Sequence, residues 1–80
     1  MKPKYGLIGR VNTPNIPVME GGRFEFLLDV PCGDNNTAIA KAERIFWKKF
    51  FRLEPRQSIL AYLHKDGTQI HNFPEIAKVR

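Results

Sequence analysis

Three side chains in this 80-residue sequence have the chemistry of a metal ligand or a nucleophile: Cys32, His64 and His71. A structural zinc site needs four such ligands at short spacing, and neither a C-x-x-C nor an H-x₃-H pattern occurs. The two histidines read as surface or rim positions of a small sheet. Cys32 precedes Gly33 in a loop that leads into a helix, a place where a thiol pKa can fall. A nucleophile also needs a positioned base, and nothing in the sequence places His64 or His71 there, so Cys32 reads as incidental. Glu25 and Asp29 share the polar side of a strand but stand four residues apart, about 13 Å at strand rise, too far for a coupled carboxylate pair. Gly21-Gly22 and the Gly6/Gly9 pair match neither the dinucleotide fingerprint nor the P-loop. The expectation is a protein that is not an enzyme and holds no metal or cofactor.

The residues left with binding chemistry lie in one segment, Asn35–Leu53. The net charge is +5, and residues 41–56 alone hold six bases against two acids, a net of +4. Residues 1–40 balance to zero and residues 57–80 add +1, so the basic character is local, as a binding footprint is. A helical wheel at about 100° per residue separates the segment into three faces. Ala38, Ile39, Ala42, Ile45, Phe46, Phe50 and Leu53 form a core arc, with Lys49 inside it near the helix end, where a long side chain can snorkel. Lys41, Arg44, Lys48 and Arg52 form a cationic stripe. Trp47 and Phe51 lie between, one turn apart, on a strip wider than a single core contact requires.

Arg44, Trp47, Lys48, Phe51 and Arg52 are therefore the candidate partner-binding residues. Tryptophan and arginine are the types most enriched in interface hot spots, which points to a protein partner or self-association. A nucleic-acid partner is the alternative: cations on phosphates and aromatics on bases, with an isoelectric point near 9.7. No helix-turn-helix, zinc-finger or RNP-type sequence accompanies the stripe. The loop Asn12–Val18, with Pro14 and Pro17, is a rigid connector that could instead fold over the two rings.

The elements that position this segment follow from the pattern. Tyr5–Val11 is a short apolar run that reads as a strand, weakened by Gly6 and Gly9, which add no packing and often mark a bulge. Arg23–Val30 alternates, with Phe24, Phe26, Leu28 and Val30 on one face and Arg23, Glu25 and Asp29 on the other. The helix is expected to start at Asn36 or Thr37, with Asp34 at its positive end, and to stop near Leu53 ahead of Pro55. Beyond it, Ile59–His64 and Thr68–Phe73 form a hairpin on Asp66-Gly67, with Leu63 facing Ile70, Tyr62 facing His71 and Leu60 facing Phe73, and Pro74 ends the last strand. A short helix from Pro55 through Leu63 is the less favoured reading of that stretch. The order β-β-α-β-β gives an α+β fold: a single domain over residues 1–80, its main helix packed on an antiparallel sheet.

A chain this short buries a modest core. One cysteine excludes an internal disulfide framework, and the N-terminus lacks the apolar stretch of a signal peptide. No apolar run reaches the roughly 20 residues of a membrane span. The expected location is cytoplasmic, with no membrane association.

Overall fold

The computed structural model describes residues 4–13, 22–31 and 33–79. The elements are β1 (Tyr5–Asn12), β2 (Arg23–Leu28), α1 (Asn35–Phe51), β3 (Ser58–Lys65) and β4 (Thr68–Ala77). All pairings are antiparallel and the sheet order is β2-β1-β3-β4. One helix packs on one face of this sheet, the small α+β architecture expected from the β-β-α-β-β order.

The core lies between α1 and the two central strands. Tyr5 and Leu7 of β1, Ile59, Ala61 and Leu63 of β3, and Phe73 of β4 meet Ala38, Ala42 and Phe46 of α1. Their spacing is two in the strands and four in the helix, the two periods that place side chains on one face. Phe46 stacks on Phe73 with ring centroids 5.0 Å apart, the aromatic contact that clamps α1 to β4. The Tyr5 ring is buried, and its hydroxyl donates to the Gly33 carbonyl at 2.8 Å and lies 2.7 Å from the Asn35 side-chain amide. That contact ties β1 to the start of the helix and satisfies the one polar atom of a buried tyrosine.

Several boundaries differ from the sequence reading, each for a physical reason. The N-cap is Asp34, not Asn36 or Thr37: its carboxylate accepts from the Asn36 and Thr37 backbone N–H groups at 3.2 and 3.3 Å. A carboxylate there answers both the free amides and the helix dipole. The helix ends at Phe51 rather than Leu53. Arg52 is its C-cap, and Lys78 donates its ammonium to the Phe51 carbonyl at 2.8 Å, a cation at the negative end of the dipole. Pro55 opens a turn and not a second helix. Gln57 N–H donates to the Glu54 carbonyl at 3.1 Å with Arg56 at φ +75°, so the backbone reverses.

The hairpin forms on Asp66-Gly67, both with positive φ as a type I′ turn requires. Its register shifts by one residue between Leu63 and His64. His64 faces Gln69 and then Leu63 faces His71, with Tyr62 against Asn72 and Ala61 against Phe73. The expected pairs Leu63/Ile70, Tyr62/His71 and Leu60/Phe73 are thereby replaced, because a bulge places two residues opposite one. Pro74 does not end β4, which continues to Ala77. β4 is an edge strand, and Pro74 sits at the second register shift, between Ile59 and Ala61, where a missing N–H breaks no ladder bond.

The cap carries a pH prediction. The Thr37 hydroxyl, followed by the two backbone N–H groups, holds the Asp34 carboxyl below its ordinary value of 3.8. The Ser58 hydroxyl, at 2.6 Å, and the Asn12 amide hold Glu75 below its ordinary 4.5. A depressed folded-state pKa contributes stability that is full above the unfolded value and is lost as pH falls through the folded one. The melting temperature is expected to decline on acidification below 4.5 and then below 3.8. Asp34→Asn keeps a capping oxygen without the titration, so its melting curve against pH should be flatter on the acid side. An identical acid limb in the two proteins would remove Asp34 as a contributor.

Candidate functional site

Four of the five candidate residues lie in the C-terminal half of α1 and Arg52 is its C-cap, and the fold distributes them over two flanks. Phe51 is 71% exposed and Trp47 38% exposed. Trp47 stands edge-on to Phe46 at 5.4 Å and to Phe50 at 5.3 Å, and its ring centre is 6.3 Å from that of Phe51. Its own helix therefore covers part of the indole and leaves Phe51 in water. The loop offered as an alternative cover for these rings, Asn12–Val18, lies from residue 14 onward outside the described residues. This aromatic flank adjoins β4, through Phe46 stacked on Phe73 and Phe50 within 5.9 Å of the Lys78 ammonium.

Lys48 and Arg52 are exposed and turn the other way. With Lys49 they line a cleft of about 370 Å³ whose apolar lining is Val11, Phe26, Ile45 and Leu53. Among the described residues, no carboxylate lines it. Lys49 is the residue the sequence reading placed inside the core arc. Its ammonium lies 4.7 Å from the centre of the Phe24 ring and 5.0 Å from that of Phe26. Such a cation–π seat fixes the charge at the mouth of the cleft instead of releasing it to solvent. The helical wheel places Lys49 correctly relative to its helix, but only the position of β2 shows what it meets. Arg44 is exposed.

Among the described residues, those with catalytic or metal-binding chemistry do not converge. His71 packs edge-on against Phe73 at 4.8 Å, opposite buried Leu63 and so beneath the helix. His64 lies beside Tyr62 at 5.2 Å on the reverse face of the sheet. The two histidines thus belong to different faces. Both are half-buried, and the His64 Nε2 has no hydrogen-bond partner among the described residues. Cys32 lies outside the described residues. Among the described residues, no group of three or more His, Cys, Asp or Glu side chains could hold a metal ion.

The sequence reading assigned no role to the reverse face of the sheet. Ile8, Arg10, Arg23, Leu60 and Tyr62 line one depression there, with Arg10 directly opposite Arg23 in the β1–β2 register. Leu27 is 80% exposed on the same face. The one signal of it in the sequence is Leu27, the break in the alternation of Arg23–Val30.

Compared with protein-family models, curated proteins and solved structures, the chain matches none. No helix among the described residues is long and apolar enough to cross a membrane.

Proposed function

We propose that this chain is a small, non-catalytic binding module that engages a protein partner, or a further copy of itself, through the outer face of α1. The observation that carries this reading is the pair Trp47 and Phe51, 38% and 71% exposed on a helix whose core face is already filled. An exposed Phe beside a half-exposed Trp is costly to leave in water, and exposed Arg44, Lys48 and Arg52 belong to the same stretch of chain. The same cations support nucleic acid as a second reading, because Lys48, Lys49 and Arg52 converge on one cleft with no carboxylate in its described lining.

Trp47 is the single tryptophan, so its fluorescence reports directly on this surface. Titration with a candidate protein partner should shift its emission to the blue. Trp47→Ala should weaken that association by about 2 kcal/mol or more, the loss typical of a hot-spot residue. Reversal of charge at Lys48 and Arg52 should matter less. With a labelled single-stranded oligonucleotide as the probe, the ranking inverts, and affinity falls steeply between low and moderate salt. If neither substitution changes any measured association, the outer face of α1 is not the site and both readings fail.

A further inference from the structure

The two edges of the sheet are built differently. β4 carries Pro74 within it and two register shifts against β3, devices that keep an edge from recruiting another strand. β2, the other edge, has none of them. It pairs with β1 over six residues in unbroken register, Tyr5/Leu28 through Arg10/Arg23, and contains no proline, glycine or lysine. Its outer edge has no strand partner among the described residues, and it presents Phe26 at 38% and Leu27 at 80% exposure. An undefended apolar edge of this kind is a template for strand addition.

We infer that β2 pairs antiparallel with β2 of a second copy of this chain, about a two-fold axis through Phe26. The two-fold that pairs antiparallel edges stands perpendicular to the sheet, so like faces adjoin and only certain registers exist. An axis through Glu25 sets Glu25 against itself. An axis through Leu27 sets Glu25 against Asp29. Like charges directly opposite are destabilising in both cases. An axis through Phe24 pairs Arg23 with Glu25, but Gly22 at φ +46° is not extended, so the pairing is short and leaves Leu27 and Leu28 unmatched. The axis through Phe26 pairs Phe24 through Leu28 of each copy and brings Arg23 opposite Asp29, the residue that follows the strand. Phe26 meets Phe26 and Phe24 meets Leu28 on the helix face. Arg23 meets Asp29 twice on the reverse face, one ion pair at each end. The product is a continuous eight-stranded sheet with both helices on one side. Each Lys49, seated over Phe24 and Phe26, flanks the seam. This surface is separate from the Trp47/Phe51 flank.

The mass in solution should rise from 9.2 kDa towards twice that value as concentration increases from micromolar to millimolar. Arg23→Asp alone, or Asp29→Arg alone, should raise the dimer dissociation constant roughly tenfold, because each turns two attractive cross-strand pairs repulsive. The double exchange should restore it. Cysteine cross-linking in a Cys32→Ser background reads the register directly. Opposed Cα atoms in an antiparallel pair lie about 4.5–5.5 Å apart, within disulfide reach, whereas diagonal ones lie about 7–8 Å apart. Phe26→Cys should therefore oxidise to a dimer, and Glu25→Cys or Leu27→Cys alone should not. A mixture of the latter two should cross-link to each other, a test that keeps Phe26 in place should its replacement unfold the chain. A monomer at millimolar concentration, equal cross-linking at all three positions, or a dimer abolished by Trp47→Ala but indifferent to Arg23→Asp would each overturn the inference.

Discussion

Phe46→Ala is expected to destabilise the protein by about 3–5 kcal/mol, the usual range for emptying a core phenylalanine. Phe46 is buried, stacks on Phe73 across the helix–sheet interface and supports the edge of Trp47. At the usual 0.05–0.15 kcal/mol per residue, a chain of 80 residues has roughly 4–12 kcal/mol in total. One substitution thus removes a large share of the stability. Urea denaturation followed by far-UV circular dichroism gives the number. Trp47 fluorescence supplies a second reading, since the indole loses its edge-on neighbour and its emission should move to the red even in the folded fraction. A transition midpoint unchanged from wild type would mean that the Phe46/Phe73 stack does not hold α1 on the sheet.

Gly9→Ala should cost about 1–3 kcal/mol, the range for overpacking a filled core, although alanine is ordinarily better tolerated than glycine inside a strand. A Cβ at position 9 would lie 2.4 Å from the tip of the Phe24 ring, 2.5 Å from the Leu60 carbonyl oxygen and 2.9 Å from the Ala61 Cβ. The ring can swing away, but the carbonyl belongs to the backbone of β3 and cannot. Each kcal/mol corresponds to roughly 4–8 °C of melting temperature at this size, so calorimetry resolves the effect. Displacing Phe24 also disturbs the seat of the Lys49 ammonium and the helix-facing side of β2. If Gly9→Ala melts at or above the wild-type temperature, the close crossing of Phe24 over β1 is not a constraint. Gly6 is different: a Cβ there meets only ordinary contacts at 3.8 and 3.9 Å. The sequence reading treated the two glycines alike, as weak points of one strand. Only the register that lays Phe24 against Gly9 separates them.

Other features divide in the same way. The alternation of Arg23–Val30, of which Arg23–Leu28 forms β2, the Asp66-Gly67 turn and a helix within Asn35–Leu53 were legible because period and turn chemistry are local properties. The bulge beside Leu63 was not. It costs one residue in register and has no composition of its own, so it shifted every expected pair beyond His64. Pro74 misled for a related reason. Proline ends a central strand but is tolerated in an edge strand, and β4 becomes an edge only once β1 has taken the place between β2 and β3. Within the candidate site, the wheel correctly singled out Trp47 and Phe51 as surplus to the core, since it depends on the helix alone. It could not divide the aromatic flank, which adjoins β4, from the cationic cleft, which adjoins β1 and β2.

The amino-acid sequence by itself determined the class of fold, the three-faced helix and the concentration of positive charge on it, because each rests on periodicity and composition within one segment. Tertiary structure alone decided that Lys49 sits over Phe24 and Phe26, that a Cβ at Gly9 would crowd Phe24 and Leu60, and that β2 is an edge of the sheet formed by the described residues. Those facts depend on which strands become neighbours. Long-range antiparallel pairing sets them, through contacts between residues far apart in the chain that no local pattern encodes.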